Sequence, residues 1–299
     1  MKPRDVVQIV LLGAIWGGAF PMLRIAAPEF GPVALIGVRL AIAALLLLAL
    51  LRRRSRLLSQ VWPLFVLAMV NTAIPFTLFA YAALGVSAGT ASLLNATTPM
   101  FGAVIAFFWL GERLTVLQVL GILLGFGGIA SIVWNEIGLH AEASTLAVAA
   151  GLAGAALYGI AASYARRQFD TVDPMVVATG SVCGAALVMV PAGLLAWPTE
   201  PPGPLAWANA VGLGVLCTAL AYIVWFRLLP RVGAARAITV TFLVPVFGVL
   251  WGVAVLGEPL TWMLLVGAAV VLLGTALALG LLRWPSAPGG PVRSDSTGA

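Results

Sequence analysis

The chain has 299 residues, 62% of them apolar and only 9% charged, with a mean hydropathy of +1.09. Soluble domains carry about 25% charged residues, so 16 basic and 10 acidic side chains are too few to cover a water-soluble fold of this size. The composition reads as an integral membrane protein, and it excludes several chemistries. One histidine, His140, and two cysteines, Cys183 and Cys217, supply neither a zinc site nor a disulfide framework. No basic patch interleaved with aromatics turns the +6 charge into a nucleic-acid footprint, and no cofactor or metal is expected.

A helix needs about 20 mostly apolar residues to cross a bilayer. Polar, Pro and Gly punctuation divides the chain into ten such stretches, which predicts an all-α polytopic membrane protein. The expected spans are 6–26, 32–51, 61–83, 87–110, 115–133, 146–165, 174–196, 205–228, 233–256 and 260–282. A barrel would require short alternating segments instead. Ten spans put both termini on one side. On that map fourteen of the 16 basic residues fall on one set of segments, including Arg52, Arg53, Arg54, Arg56, Arg166, Arg167, Arg231 and Arg236. The excess marks that side as cytoplasmic. The exceptions are Arg24, at the outer end of span 1, and Arg39, inside span 2. Lys2 and Arg4 resemble the start of a signal peptide, but nine further spans favour an uncleaved first helix. The Pro-, Gly- and Ser-rich residues 285–299 are expected to be a disordered tail or linker remnant.

The chain also repeats itself. Pro99, Phe101, Gly102, Gly111, Glu112, Leu114 and Thr115 recur as Pro245, Phe247, Gly248, Gly257, Glu258, Leu260 and Thr261, always 146 positions apart. Upstream, Trp16-Gly17 aligns with Tyr158-Gly159, Arg24 with Arg166 and Pro32 with Pro174, at an offset of 142. The chain therefore divides into repeats at 1–138 and 139–284. Five spans per repeat invert the second copy, an architecture that places substrate near the midplane between the halves.

These features resemble the drug/metabolite transporter superfamily and, more narrowly, its EamA-type permeases and exporters. The carriers of the likeness are Trp16-Gly17-Gly18 in the first span and the Gly-Glu-x-Leu-Thr elements at 111–115 and 257–261. The resemblance extends from Asp5 to about Trp284. It implies export of small metabolites, often amino acids, from the bacterial cytoplasm through a cavity lined by spans 1, 3, 4, 6, 8 and 9. Tyr158 in place of a second tryptophan shows that the halves have diverged.

Depth along each span identifies the residues expected to meet a substrate. Trp16, Thr72, Asn95 and Thr98 lie near span centres in the first repeat, and Tyr158, Thr218 and Thr241 in the second. Polar groups in hydrocarbon are costly unless paired or facing a cavity. A hydrated pocket accounts for all of them; each threonine bonding its own helix backbone is the other account, and Trp16 and Tyr158 could serve packing. Arg39, about 10 Å into span 2, either meets a substrate carboxylate or snorkels to exposed carbonyls. Glu112 and Glu258 are expected to complement the positive ends of spans 5 and 10.

No Asp, Glu or His lies near a span centre, which argues against a membrane enzyme. The expectation is a secondary-type exporter of amino acids or related metabolites in the bacterial inner membrane, working by alternating access. Its partners are a small-molecule substrate and the lipid bilayer, not nucleic acid; the oligomeric state is open, a monomer being compatible. A multidrug or amphipathic-compound exporter and a lipid-linked metabolite carrier are the alternatives.

Overall fold

The computed structural model describes residues 2–50, 60–137 and 141–282. The arginine cluster at 52–56, His140 and the tail at 285–299 lie outside the described residues. All regular structure among those described is helical. Helices α1 (Pro3–Phe30) and α2 (Pro32–Leu50) are followed by α3 (Val61–Gly85), α4 (Ala88–Leu110) and α5 (Val116–Ile137). The second set is α6 (Ala141–Gln168), α7 (Pro174–Leu195), α8 (Pro204–Val232), α9 (Thr239–Leu256) and α10 (Trp262–Ala278). Among the described residues nine of these are long and apolar enough to cross a membrane, and α10, with 17 residues, is the shorter tenth.

Local chemistry sets the ends. Pro3, Pro32, Pro174 and Pro204 open their helices, where the missing N–H costs nothing. The Asp173 carboxylate accepts from the Met175 N–H at 2.9 Å, and Thr261 Oγ1 from Leu264 N–H at 3.2 Å. Gly111 and Gly257 close α4 and α9 in the left-handed conformation, at φ 71° and 66°, so the repeated Gly-Glu element is a helix stop followed by a displayed carboxylate.

Three of the expected spans are not regular. α3 contains a π-helical turn at Met69–Ala73, and α8 one at Val215–Leu220, the same place in the two repeats. Pro75 follows the first and removes an N–H from the ladder. The second has no proline. There Thr218 Oγ1 donates to the Leu213 carbonyl five residues back, at 2.9 Å, satisfying a group the wider turn frees. α4 is broken at Ala96 and Thr97, just ahead of Pro99.

Packing follows the repeat. α1 runs along α9 as α6 runs along α4, and α8 packs on α1 as α3 packs on α6. α2 pairs with α7, and α5 with α10. Gly13, Gly17 and Gly18 meet Leu243, Phe247 and Trp251 in turn, so α1 and α9 run parallel. Gly121 faces Leu277 while Gly128 faces Val271, so α5 and α10 run antiparallel. Leu45, Phe108, Leu123, Leu187 and Leu273 are exposed on the outer faces. Such a surface suits lipid and would aggregate in water.

Helix association in lipid depends on close packing, because burying a leucine there gains little. At the crossing of α5 and α10, a Cβ on Gly274 would stand 2.5 Å from the Gly125 nitrogen and 2.6 Å from the Gly121 carbonyl oxygen. Gly127, on the same helix as Gly125, has nothing within 4 Å. Gly274→Ala is therefore expected to lower the thermal midpoint in detergent, since an overpacking cost of about 1–3 kcal/mol exceeds the gain in helix propensity of about 1 kcal/mol. Gly127→Ala should leave the midpoint unchanged or raise it.

Candidate functional site

A cavity of about 760 Å³ lies between the two repeats. It is within the range of about 300–1,000 Å³ that small-molecule sites occupy. Its walls come from α1, α2, α3, α4, α6, α7, α8 and α9. One end is formed by exposed Arg166, Asp170 and Pro174 around the α6–α7 loop, and the other by buried Leu23 and Arg39. The cavity is thus open at the α6–α7 end and blind at the opposite one.

Aromatic pairs flank it symmetrically. Trp16 lies 5.5 Å from Trp225, and Tyr158 stacks 5.8 Å from Phe79. These are equivalent pairs, one from each repeat. Each pair joins the first helix of one repeat to the third helix of the other. The Trp16 indole N–H donates to the Cys217 carbonyl at 3.1 Å, within the π-helical turn of α8. The irregular turn thus fixes the ring that faces the cavity.

A second symmetric arrangement carries the polar chemistry. Arg39 Nε donates to Thr218 Oγ1 at 2.9 Å, and Thr72 Oγ1 and Ser181 Oγ share a hydrogen bond at 2.8 Å. Arg39 and Ser181 are equivalent in the repeats, as are Thr218 and Thr72. Both bonds tie one repeat to the other. The Arg39 guanidinium carbon also lies 3.8 Å above the Phe76 ring centroid, a cation–π contact. Arg39 is only 6% exposed, yet it borders the cavity. Its two terminal nitrogens have no hydrogen-bond partner among the described residues. The acid of the cavity wall, Asp170, stands at the opposite end, at the mouth.

The expected site residues separate into groups. Trp16, Arg39, Asn95, Thr98 and Tyr158 line the cavity. Thr98 Oγ1 is buried there without a hydrogen-bond partner among the described residues. Thr72 and Thr218 stand behind the wall and bond to Ser181 and Arg39, which do line it. Thr241 is outside the wall, where α9 presents Val244 instead. The break in α4 rotates Thr98 relative to Asn95 and lets both face inward; α9 is unbroken over the equivalent stretch.

Asn71, Ser181, Phe76 and Tyr222 also line the cavity and were not anticipated. Each has a signal in the repeat. Asn71 precedes Thr72, Ser181 is the counterpart of Arg39, and Phe76 and Tyr222 are counterparts of each other. The two glutamates depart from expectation. Glu258 does not serve α10; its oxygens accept from the N–H groups of Ala88 at 2.7 Å and Gly89 at 3.2 Å, at the start of α4. Glu112 pairs with Arg166 at 2.7 Å. Chain folding across the repeat interface, invisible to local spacing, brings these partners together.

Comparison with known proteins agrees with this architecture. The EamA-like transporter family matches residues 5–134 and again 145–280. An uncharacterised transporter of Bacillus subtilis is 27% identical over 285 residues, covering 92% of each chain. A probable terminal-alkyne amino-acid exporter of Streptantibioticus cattleyicolor is 29% identical, covering 96% of this chain and 98% of its own. A probable amino-acid metabolite efflux pump of Escherichia coli is 23% identical with the same coverage. A crystal structure with 22% identity superimposes with a TM-score of 0.64 over 91% of this chain and 96% of its own, showing a shared fold. Two family-matching halves, an all-helical architecture and apolar outer faces make this a multi-pass membrane transporter of small molecules, and the chain belongs to the EamA-like transporter family.

Proposed function

We propose that the protein exports amino acids or closely related carboxylate metabolites across the bacterial inner membrane by alternating access. In this reading the repeats 1–138 and 139–284 are inverted five-span units with both termini cytoplasmic, and the described state is open to the cytoplasm. The basic loops support that sidedness, because the open end lies beside Arg166 and Arg167. Names of two relatives, a probable amino-acid exporter and a probable amino-acid metabolite efflux pump, support the substrate class.

The observation that carries the reading is the guanidinium of Arg39 at the blind end of a largely aromatic cavity, its terminal nitrogens without a hydrogen-bond partner and its charge without a counter-ion among the described residues. A buried cation is costly without a partner, and a carboxylate supplies two acceptors in the fork geometry that guanidinium presents. Trp16, Trp225, Tyr158 and Phe79 then receive the apolar part of the substrate or its ammonium group. Asn95, Thr98, Asn71 and Ser181 offer further hydrogen bonds, with Thr72 and Thr218 holding the polar wall in place; Thr241 has no part in this arrangement. The absence of an acid near any span centre favours transport down the substrate gradient, without a proton-carrying carboxylate.

Counterflow in proteoliposomes tests the proposal. Vesicles preloaded with single unlabelled amino acids should accumulate a labelled amino acid, to the same extent with and without a pH gradient. Failure with every amino acid by the folded, reconstituted protein would overturn the substrate class and redirect it to lipid-linked metabolites. The aromatic walls favour one second reading, export of amphipathic compounds. Accumulation of hydrophobic cations in preference to amino acids would establish it.

Arg39→Gln should weaken apparent affinity for carboxylate substrates about 10- to 100-fold, the scale of a lost charge-assisted contact. Amine analogues lacking the carboxylate should be unaffected by it. Thr218→Val, which removes the Arg39 tether and leaves the charge, should give a smaller loss in the same direction.

A further inference from the structure

The two ends of the molecule use equivalent residues in different ways. At the blind end, Arg24 Nη1 donates to the carbonyls of Ala83 at 2.7 Å and Leu84 at 3.1 Å, the last turn of α3. Glu258 accepts from Ala88 and Gly89 N–H at the first turn of α4. The corner between α3 and α4 is therefore clamped from both sides. A cation sits on the negative end of one helix, and an anion on the positive end of the next. Gly248 presses against Ser92 and Gly252 approaches the Gly89 nitrogen, so α4 and α9 are in close contact at this end.

At the open end the counterparts of these residues are Arg166 and Glu112. Here they bond to each other instead, at 2.7 Å, with 64% and 47% of their side chains exposed. The corner equivalent to 83–89 lies between α8 and α9. Arg166 makes no hydrogen bond to its carbonyls at Leu229 and Pro230. Gly102, the counterpart of Gly248, would meet nothing of α9 within 4 Å among the described residues. So α4 and α9 touch at the blind end and part at the open one.

We propose that these four residues form a reciprocal latch. At a closed end, the Arg and Glu separate and clamp the helix corner; at an open end, they release it and pair with one another. In the outward-open state, Arg166 takes the Leu229 and Pro230 carbonyls, and Glu112 takes the Ala234 and Ala235 N–H groups. Arg24 and Glu258 leave the α3–α4 corner and form the ion pair now seen between Arg166 and Glu112. Each side chain keeps a charged or dipolar partner in both states. The exchange therefore leaves neither end with a buried unpaired charge, and it favours two discrete states over intermediate ones. This inference rests on the alternating-access reading above.

The test uses full-length protein in oriented vesicles, with Cys183→Ala and Cys217→Ser as background. Ala27→Cys and its counterpart Phe169→Cys report the two ends through labelling by a membrane-impermeant maleimide. Arg24→Gln with Glu258→Gln should raise labelling of the Ala27 reporter from outside, and lower that of the Phe169 reporter from inside, by about tenfold, the weight of the hydrogen bonds removed. Arg166→Gln with Glu112→Gln should do the reverse and abolish counterflow. The swapped pair Arg166→Glu with Glu112→Arg preserves an ion pair but reverses both clamps, so it should match the Gln pair. Recovery of counterflow in the swap would reduce the contact to a surface ion pair and overturn the latch. Wild-type labelling at the Ala27 reporter in the Arg24/Glu258 variant would also overturn it. If the Gln variants do not fold, Arg24→Lys and Glu258→Asp, which keep the charges, should shift labelling in the same directions by less, and no shift counts against the latch. Wild-type counterflow in the same vesicles separates the two ideas: its absence overturns the transport reading, whereas unchanged labelling beside intact counterflow overturns the latch alone.

Discussion

Direct backbone contact at two pairs of glycines sets the positions of everything else in the cavity. A Cβ on Gly17 would stand 2.7 Å from the Val244 carbonyl oxygen and 2.8 Å from the Gly248 nitrogen; on Gly159 it would stand 2.8 Å from the Gly102 nitrogen. These contacts set the backbone of α1 directly against α9 and that of α6 directly against α4. Lipid gives apolar helices little reason to associate, so such small-residue seams supply the attraction through dispersion and backbone proximity. The residues just before them, Trp16 and Tyr158, are thereby aimed between the repeats. A seam without side chains also offers little resistance to one helix pivoting on the other, which suits a carrier whose halves rock.

The framework is symmetric and the lining is not. Glycine seams, π-helical turns, helix stops and cross-repeat hydrogen bonds all come in pairs. At the cavity wall the pairs diverge: Arg39 against Ser181, Asn71 against Cys217, Thr98 against Val244. In an alternating-access cycle, symmetry of the scaffold would build the two end states from the same kinds of contact. Asymmetry of the lining would give the carboxylate substrate proposed above a direction, with its anionic end toward α2. These two requirements act on different residues, so divergence in one does not disturb the other.

Much of this was legible before any coordinates. Apolar runs of about 20 residues have one stable solution in a bilayer, and the offsets of 146 and 142 expose the repeat without alignment to other proteins. Trp16, Asn95, Thr98, Tyr158 and Arg39 line the cavity, and each stands out in the sequence as a polar, charged or amphipathic side chain well inside an apolar span. What escaped was anything depending on rotation about a helix axis. Thr241 has the depth of a lining residue but lies outside the wall, and depth alone does not separate Asn71, which lines the cavity, from Thr72, whose hydroxyl bonds to Ser181. The π-helical turns shift azimuth by an amount that periodicity cannot supply. Local spacing pairs Glu258 with the nearest helix in sequence, whereas the amides it accepts from belong to the other repeat.

Under the proposed export of carboxylates by alternating access, Arg39 links recognition to movement. In that reading water in the open cavity meets the terminal nitrogens of the guanidinium, which borders it, while Thr218 and the Phe76 face supply only part of what the charge needs. Closing the mouth over an empty cavity would strip that water from an unpaired charge, a cost of several kcal/mol even after relaxation. A bound carboxylate removes the cost, because it replaces water with two charge-assisted hydrogen bonds. In that reading the loaded carrier closes more readily than the empty one. A lysine would serve this purpose less well: its compact ammonium holds water more tightly and lacks the planar fork that lies on Phe76 while presenting two nitrogens to the cavity. On this proposal the same side chain that selects an anionic group makes occupancy a condition of passage, with no titrating residue needed in the membrane.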